Sequence, residues 1–261
     1  MNSMHRFYLP PDQCRGEVLT LTGGEAHHAA RVLRVREGER VTVLDGAGQE
    51  LQCEVAGPIG KTVSLKVSQR SSASALDFSI TLIQAIPKAK IIEDIIQKAT
   101  ELGAARIVPI LSERVVTHLE GDDAKAKAEK WQHVAIEAMK QCGNPWLPKV
   151  DAPVSLKAFV SRAEKFDLCI VGCLLPGSSH PRHWVEKFRA EQQRLPKSIG
   201  IWIGPEGDFS DVEYEGITSS GALPITLGPL VLRVETAATY CLSVVNYEMR
   251  SPNGARTALP A

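Results

Sequence analysis

Residues 199–213 read IGIWIGPEGDFSDVE, and this stretch decides the fold class. An apolar run, Ile199 to Ile203, is followed by a Gly-Pro-Glu-Gly turn, and Ser210 with Glu213 matches the S-x-x-E capping box that starts a helix. A strand, a turn and a helix in this order are typical of a parallel α/β sheet, in which ligands bind at the carboxyl ends of the strands. The glycines of the turn would let a ligand approach the backbone. The alternative is a tight turn that merely exposes Glu206.

A second Gly-Pro turn lies further along the chain. Residues 226–230 read TLGPL and lead into a predicted helix with Arg233 and Glu235 near its start. Taken alone, Arg233 is more typical of a surface or capping charge than of a functional group. Consecutive strands are usually neighbours in a sheet, so the two turns would then line one crevice. The pair is therefore more informative than either turn.

The same alternation of strand and helix extends over most of the chain, which predicts a parallel α/β sheet. Apolar residues at steps of three and four indicate the helices, and Gly103 stands at the stop position of the first one. The predicted strands cover 78–86, 106–110, 166–173, 199–203 and 224–227; the predicted helices cover 89–102, 122–141, 183–194, 211–219 and 235–250.

The first seventy residues follow a different pattern. Alternating apolar residues indicate short strands, and Asp45-Gly46 is a hairpin signal, so a small β-barrel is expected. One short helix, 24–34, would present His27 or His28, Arg31 and Arg34. The polar stretch 69–74 lacks periodicity, which places the domain boundary there, with domains 1–72 and 73–261. The predicted strands are 16–21, 40–44, 50–55 and 62–67.

Composition excludes several classes of protein. The chain has 261 residues, 44% of them hydrophobic, which is typical of a globular protein with a full core rather than of a disordered or collagen-like chain. No run of eighteen apolar residues and no secretory signal pattern occur, so we expect a soluble, cytoplasmic protein. The six cysteines are dispersed, which predicts reduced, mostly buried thiols. The 30 basic residues balance the 30 acidic ones, so any attraction to nucleic acid must be local.

Several common catalytic templates are absent. Gly46 and Gly48 are followed by Leu51 where the dinucleotide fingerprint needs glycine, and no phosphate-binding loop, zincin or esterase motif occurs. Basic residues do cluster twice, although a solvated face is the simpler explanation for each cluster. The clusters are Arg31, Arg34, Arg36 and Arg40, and then Lys88, Lys90, Lys98, Arg106 and Arg114.

Seven ordered blocks together make the chain recognisable. The chain resembles, over nearly its whole length, the bacterial 16S ribosomal RNA (uracil-N3)-methyltransferase family of the SPOUT superfamily. The blocks are Arg6-Phe7-Tyr8, His27-His28 with Val32-Leu33-Arg34, residues 98–103 (KATELG), Ser112-Glu113-Arg114, Glu137-Ala138 with Gln141-Cys142-Gly143, residues 203–207 (IGPEG), and Leu227-Gly228-Pro229 with residues 232–237 (LRVETA).

This resemblance implies an N-terminal PUA-like β-barrel that helps to hold RNA, followed by a SPOUT-type α/β domain with a trefoil knot. It further implies S-adenosylmethionine as the cofactor, ribosomal RNA or the small ribosomal subunit as the partner, and a homodimer without membrane or metal. The implied cofactor-binding residues are Leu174, Ile203, Gly204, Pro205, Glu206, Gly207, Leu227, Gly228, Val231 and Leu232. The implied RNA-binding residues are Arg6, His28, Arg31, Arg34, Lys88, Lys90 and Arg114.

Methylation at N3 of uracil requires that N3 lose its proton, and the resulting negative charge spreads onto O2 and O4. A guanidinium can stabilise that charge, and Arg233 is the candidate for this role. Glu206 or Glu235 could orient Arg233 or accept the proton, and the sequence does not decide between them. The alternatives are a SPOUT enzyme that methylates another RNA position, such as a ribose 2′-hydroxyl, and an RNA-binding assembly factor without turnover.

Four positions depart from the usual pattern of that family. Asp208 stands where a third glycine is usual after Gly-Pro-Glu-Gly, and Leu230 stands where an arginine commonly follows Leu-Gly-Pro. Lys140 replaces a common acidic residue, and Asn144 replaces a common arginine. The two Gly-Pro turns themselves match the family.

Overall fold

The structure, a computed structural model, describes residues 5–88, 91–114, 121–174 and 177–250. The chain forms two compact units. One contains the residues up to Leu76 together with Gln132–Pro148, and the other contains Asp77–Trp131 and the residues from Lys149 onward. Among the described residues, no helix combines the length and the apolar character needed to cross a membrane.

The first unit is built on a five-stranded sheet in the order β1-β3-β4-β5-β2. Only β1 and β3 pair in parallel, and the other neighbours are antiparallel. Alternating side chains such as Val41, Val43, Leu51 and Leu65 are completely buried and form the core. The strands are β1 (His5–Tyr8), β2 (Val18–Leu21), β3 (Arg40–Leu44), β4 (Gln49–Ala56) and β5 (Val63–Ser72).

The predicted hairpin between β3 and β4 is confirmed. The Asp45 carboxylate accepts hydrogen bonds from the backbone N–H groups of Ala47 (2.7 Å) and Gln49 (2.8 Å), as expected for an Asx turn. Gly46 and Gly48 both have positive φ angles, 73° and 95°, which a glycine adopts without strain. Local turn chemistry therefore fixes this connection.

Two local predictions for this unit need correction. The predicted strand 62–67 ends too early, because residues 69–72, from the stretch without periodicity, extend β5 and pair with β4 from Gln49 to Gln52. Their side chains are exposed there, so burial imposes no apolar alternation on the sequence. The predicted single helix 24–34 is also interrupted: α1 (Gly23–His27) continues as a π-helical segment, His28–Leu33, which ends at Arg34 with a φ of 54°.

The end of a long helix completes the first unit. Helix α3 (Gly121–Cys142) carries Lys140, whose ammonium group is buried and pairs with Glu25 at 2.6 Å and Glu137 at 2.8 Å. Beyond the helix, the N–H of Leu147 donates to the carbonyl of Gly46, and the N–H of Gly48 donates to that of Pro145, both at 3.0 Å. Residues 132–148 thus belong to a compact unit whose other residues all come from the chain up to Leu76.

The second unit confirms the predicted parallel α/β class. Its seven strands run in the order β12-β10-β11-β6-β7-β8, with β9 also paired to β7, and every pairing is parallel. The strands are β6 (Ser79–Ala85), β7 (Arg106–Leu111), β8 (Lys149–Val150), β9 (Val154–Ser155), β10 (Leu168–Gly172), β11 (Ser198–Ile203) and β12 (Leu223–Ile225).

Helices cover this sheet. Ile83, Val171 and Trp202 belong to a core cluster that includes residues of α4 and α6, and their strand neighbours, such as Leu82 and Ile201, point to the opposite face. Helices α2 and α7 contact each other, and α7 also contacts β11. The helices are α2 (Ile91–Glu101), α4 (Leu156–Ser161), α5 (Pro181–Gln192), α6 (Asp211–Ser219) and α7 (Val234–Met249). Burial on both faces explains the continuous apolar runs in the strands.

The capping box predicted for α6 is present. The Ser210 hydroxyl accepts from the N–H of Glu213 at 3.3 Å, and the Glu213 carboxylate accepts from the N–H of Ser210 at 3.0 Å. These reciprocal bonds satisfy N–H groups that a helix start leaves without partners. The helix therefore begins at Asp211, four positions after the last glycine of the Gly-Pro-Glu-Gly turn.

The six cysteines are free thiols, and Cys14, Cys53, Cys173 and Cys241 are buried. Burial raises the pKa of Cys14 and of Cys53 to about 11 and that of Cys241 to about 12. These groups stay protonated near neutral pH, which makes them weak nucleophiles. Cys142 is the exposed exception.

Candidate functional site

A cleft opens where β10, β11 and β12 end, inside the second unit. Its volume is about 420 Å³. Gly172 stands at its base: a Cβ atom there would lie 3.5 Å from the Ile203 side chain and 3.6 Å from the Leu227 side chain. Three strand ends thus converge at the position where parallel sheets bind ligands. The lining residues are Ile91, Gly172, Cys173, Leu174, Ile203, Gly204, Pro205, Glu206, Asp208, Leu227, Gly228, Leu230, Val231, Leu232, Arg233, Val234, Glu235 and Ala237.

The first wall of the cleft is the turn after β11. The N–H of Asp208 donates to the carbonyl of Pro205 at 2.9 Å, which closes the turn. Asp208 has a φ of 61°, in the left-handed region that favours glycine, and its carboxylate accepts from the N–H of Phe209 at 2.8 Å. A short polar side chain that bonds locally is one of the few that tolerate this conformation. Asp208 therefore keeps the turn shape that a glycine would allow.

The second wall is the loop after β12, from Leu227 to Arg233. Gly228 has a φ of 108°, and its N–H and carbonyl both bond the Thr226 hydroxyl, at 3.2 and 3.3 Å. Leu230 and Val231 are 72% and 79% exposed, although both are large apolar residues. The loop thus leaves apolar side chains uncovered at the edge of the cleft.

The three proposed catalytic residues all line this cleft. Arg233 is the N-cap residue of α7 and is exposed, and its side chain has no hydrogen-bond or ion-pair partner within the described ranges. Glu235 follows in the first turn of the same helix. Glu206 lies on the first wall, and its carboxylate accepts from the backbone N–H of Lys88 at 2.9 Å. The geometry brings one cation and two carboxylates to a single cleft.

Most of the predicted cofactor-binding residues also meet here. Of the ten, only Gly207 is missing from the lining; a Cβ atom at Gly207 would lie 3.4 Å from Cδ of Arg114, outside the cleft. The sequence did not single out Gly172, Cys173 or Asp208 as lining residues. Gly172 and Cys173 could have been found from the sequence, because they end the predicted strand 166–173 and the cleft lies at the carboxyl ends of the strands.

The segment after β7 is tied to the first wall. The guanidinium of Arg114 donates to the carbonyl of Gly207, and it lies 3.5 Å from the carbonyl of Asp208. The carboxylate of Glu113 accepts from the Ser210 hydroxyl at 2.7 Å. Two other members of the second basic cluster also have partners: Arg106 pairs with Asp151 and Glu164, and Lys98 pairs with Glu101. Lys90 lies outside the described residues.

In the first unit, basic side chains surround a separate, polar cleft of about 570 Å³. Arg31 and His27 line it from the helical segment, and Lys61 lines it from the loop between β4 and β5. Arg34, three residues after Arg31, is exposed, and His28 is half-buried. Arg6 is exposed too, but its guanidinium donates to the carbonyls of Lys140 and Gln141, at 3.3 and 3.1 Å.

Two family models match the chain. A family described as "RNA methyltransferase domain" matches residues 74–246, and one described as "RNA methyltransferase PUA domain" matches residues 21–68. The chain belongs to this RNA methyltransferase family. The two matches also agree with a PUA-like domain that precedes an α/β domain.

Similar proteins in other organisms support this membership. The chain is 33% identical to ribosomal RNA small subunit methyltransferase E of Bacillus subtilis, with 88% of this chain and 90% of that protein covered. It is 32% identical to the protein of the same name from Synechocystis, with 95% and 78% covered.

A solved structure shares both fold and sequence with this RNA methyltransferase. It is a protein from Legionella pneumophila, assigned as a methyltransferase and described "in complex with the bound cofactor SAM". The two chains are 32% identical. The match covers 94% of this chain and 98% of the Legionella chain, and the two structures superpose with a TM-score of 0.84.

Proposed function

We propose that the protein methylates N3 of a uridine in small-subunit ribosomal RNA, with S-adenosylmethionine as the methyl donor. The observation that carries the proposal is the cleft itself, where a guanidinium without a partner in the described ranges, Arg233, faces the same space as two glycine-containing turns. The relatives named for methylation of small-subunit ribosomal RNA support the choice of substrate.

The cleft fits S-adenosylmethionine. Its volume of about 420 Å³ lies in the range of small-ligand sites, roughly 300–1,000 Å³. Apolar side chains and glycine backbone dominate the lining, with few polar groups to fix orientation, as expected for such sites. When bound, the cofactor supplies a methyl group on a sulfonium. The holding residues would be Leu174, Ile203, Gly204, Pro205, Glu206, Gly207, Leu227, Gly228, Val231 and Leu232, with Gly207 acting through the shape of the turn.

Arg233 is the proposed catalytic residue. Its exposed guanidinium at the start of α7 can donate to O2 or O4 of a uracil, where negative charge develops as N3 loses its proton. Such a contact strengthens as the charge forms, so it favours the transition state over the ground state. The target base has to be unstacked, because N3 lies on the edge used for base pairing.

Glu206 and Glu235 are the two candidates for accepting the proton or orienting Arg233. The Glu206 carboxylate already accepts from the N–H of Lys88, which gives it a second task in holding the turn. Glu235 lies one residue beyond Val234 on the helix that Arg233 caps. Single-turnover pH profiles of Glu206→Gln and Glu235→Gln separate them, because only loss of the proton acceptor removes the acidic limb of the profile.

RNA binding is assigned to local basic groups. The candidates are Arg6, His28, Arg31 and Arg34 in the first unit and Lys88 and Lys90 in the second, and the polar cleft around Arg31 supports the first group. Arg114, the remaining residue that the resemblance implies, directs its guanidinium at the carbonyl of Gly207 instead. Each phosphate contact that is lost should lower the salt slope of binding by about 0.7 for single-stranded RNA. If Arg31→Ala and Arg34→Ala leave affinity and slope unchanged, the first unit has another task.

For the domain arrangement and the oligomeric state, we propose what the resemblance to the SPOUT family implies. We place the RNA-binding domain at 1–72 and the methyltransferase domain at 73–261, with residues 132–148 contributing to the first compact unit. The same proposal includes a trefoil knot in the second domain, a homodimer and a cytoplasmic location. Sedimentation equilibrium tests the dimer directly, since a monomer at micromolar concentration would contradict it.

Mapping of modified nucleosides tests the whole proposal. Small-subunit ribosomal RNA from cells with and without the gene is digested and analysed by mass spectrometry. We expect 3-methyluridine to disappear from one position and to return when the purified protein and S-adenosylmethionine are added. A missing ribose methyl group would instead indicate 2′-hydroxyl methylation. Calorimetry that detects no cofactor binding would indicate an RNA-binding factor without turnover.

A further inference from the structure

The segment Ser112–Arg114, which follows β7, contacts the first wall of the cleft at several points. Arg114 donates to the carbonyl of Gly207, and Glu113 accepts from the Ser210 hydroxyl at 2.7 Å. The N–H of Glu113 also donates to the carboxylate of Glu213 at 2.8 Å. Backbone and side-chain groups of two neighbouring residues thus attach to both ends of the stretch Gly207–Glu213.

The Glu213 carboxylate connects the two segments. It is only 5% exposed as a residue, and its two oxygens accept from different partners: Glu113 on one side and the N–H of Ser210 on the other. Hydrogen bonds to a buried carboxylate are among the stronger ones in proteins. The segment after β7 is therefore joined to the start of α6 independently of Arg114.

Arg114 acts on the part of the turn that forms the cleft. Its guanidinium reaches the Gly207 and Asp208 carbonyls, and its Cδ atom would lie 3.4 Å from a Cβ at Gly207. Asp208 has a left-handed backbone, and its carboxylate lies 2.9 Å from the position of a Cβ at Gly204. Arg114 thus binds the carbonyl of Gly207, which is next to Asp208 in the chain, and Asp208 in turn packs against Gly204 of the wall.

We propose that Arg114 is a positioning residue, which holds the Gly204–Asp208 turn in the shape that binds S-adenosylmethionine. This inference rests on the proposed function. The resemblance had instead implied that Arg114 binds RNA. The guanidinium N–H groups that donate to the carbonyls of the turn are not available for a phosphate group. The two roles make opposite predictions for cofactor and RNA affinity.

The test compares Arg114→Ala and Arg114→Lys with Arg189→Ala, which removes an exposed arginine from α5 of the same unit. Calorimetry gives the S-adenosylmethionine Kd, steady-state kinetics give KM and kcat, and RNA titrations at several salt concentrations give the slope. For Arg114→Ala we expect Kd and KM for the cofactor to rise about tenfold, which corresponds to one charge-assisted hydrogen bond. At saturating cofactor, kcat should stay within about twofold of the parental value, and RNA affinity and salt slope should not change.

Arg114→Lys should recover part of the cofactor affinity, because it keeps the charge but loses the planar fork. Unchanged cofactor affinity in Arg114→Ala would overturn the proposal, as would a salt slope reduced by about 0.7, the value for one lost phosphate contact. An equal loss of kcat, cofactor affinity and RNA affinity with a lower melting temperature would also overturn it, in favour of a general structural role. If Arg114→Ala does not fold, the same criteria apply to Arg114→Lys. Failure of the parental protein to bind the cofactor would instead reject the proposed function.

Discussion

The two Gly-Pro turns of the cleft share a dipeptide and a position at a strand end, but the protein holds them differently. Pro205 is buried, and the turn around it is bonded by Arg114, by its own Pro205–Asp208 hydrogen bond, and through Glu206 to Lys88. Pro229 is exposed, and the bonds found around Gly228 come from Thr226, two residues away. The same motif therefore produces one supported wall and one exposed wall.

The difference separates two tasks. A wall fixed by its neighbours loses little conformational entropy when a ligand binds, so the first turn should contribute mainly to affinity. The exposed loop leads into Arg233, so the second turn should contribute to affinity and, through Arg233, to the chemical step as well. A loss of rate at Arg233 with nearly unchanged affinity, together with a larger loss of cofactor affinity at the first turn than at the second, would sharpen this comparison. The reverse result would break it.

The largest effect is expected at Arg233. Arg233→Ala removes the group that stabilises the charge developing on uracil, so single-turnover methylation should fall by roughly 10² to 10³ while S-adenosylmethionine binding stays nearly parental. Arg233→Lys should retain part of the rate, and higher pH should partly restore the rate of the Ala variant by favouring the deprotonated base. A folded Ala variant that binds both ligands and methylates at the parental rate would leave Arg233 as a helix-start charge only.

A smaller effect is expected at Gly204. A Cβ atom there would lie 2.9 Å from the Asp208 carboxylate, so Gly204→Val should weaken cofactor binding by about 1 to 3 kcal/mol through overpacking. Asp208→Gly removes the clashing group and suits the positive φ, so it should be tolerated alone. The double variant Gly204→Ala with Asp208→Gly should bind better than Gly204→Ala. Additive effects in this cycle, measured by calorimetry, would mean that the contact is not the cause.

Gly228 tests the exposed wall. In the described part of the chain, no atom beyond the adjoining residues lies within 4 Å of a Cβ at Gly228, but its φ of 108° strains any other residue. Gly228→Ala should therefore weaken cofactor binding by about 1 to 2 kcal/mol. The free energy of unfolding should change less than for Gly204→Val, because an exposed loop can relax. Chemical denaturation provides that measurement, and equal destabilisation by both variants would show that the second wall is as firmly supported as the first.

The smallest effect is expected at Thr226. Thr226→Val keeps the shape but removes the hydroxyl that bonds Gly228, so cofactor binding should weaken by about 0.5 to 1.5 kcal/mol. Thr226→Ser keeps the hydroxyl and serves as the control. Identical affinities for the Val and Ser variants would remove the hydroxyl from any role in shaping the loop.

The sequence predicted the features that depend on local patterns. The turn after β11, the capping box of Ser210 and Glu213, and the placement of Arg233 beside Gly228 all follow from residues close together in the chain. The hairpin at Asp45 likewise depends on five consecutive residues, Asp45 to Gln49. Such features are set by short-range hydrogen bonds, which a linear pattern displays.

Most features built from distant residues were not predicted. The two Gly-Pro turns do line one cleft as expected, but the premise that their strands are neighbours is wrong, because β10 lies between β11 and β12. Strand β1 is only His5–Tyr8 and pairs with β3, so it has no alternation long enough to identify it. The basic character of Arg114 suggested RNA, and only its contact with Gly207, ninety-three positions away, suggests another role. Lys140 departs from the usual acidic residue of the family, yet it is buried against Glu25 and Glu137. Partners of this kind are selected by the fold.

The return of residues 132–148 to the first unit has a consequence for synthesis of the protein. A nascent chain that has left the ribosome as far as Leu76 contains all five strands of the first sheet, but it lacks the partners of Gly46, Gly48, Glu25 and Arg6. Until Pro148 has emerged, Glu25 has no Lys140 to pair with, and Gly48 has no Trp146 ring beside it. The first unit is therefore completed only after residues 77–131 of the second unit have been made.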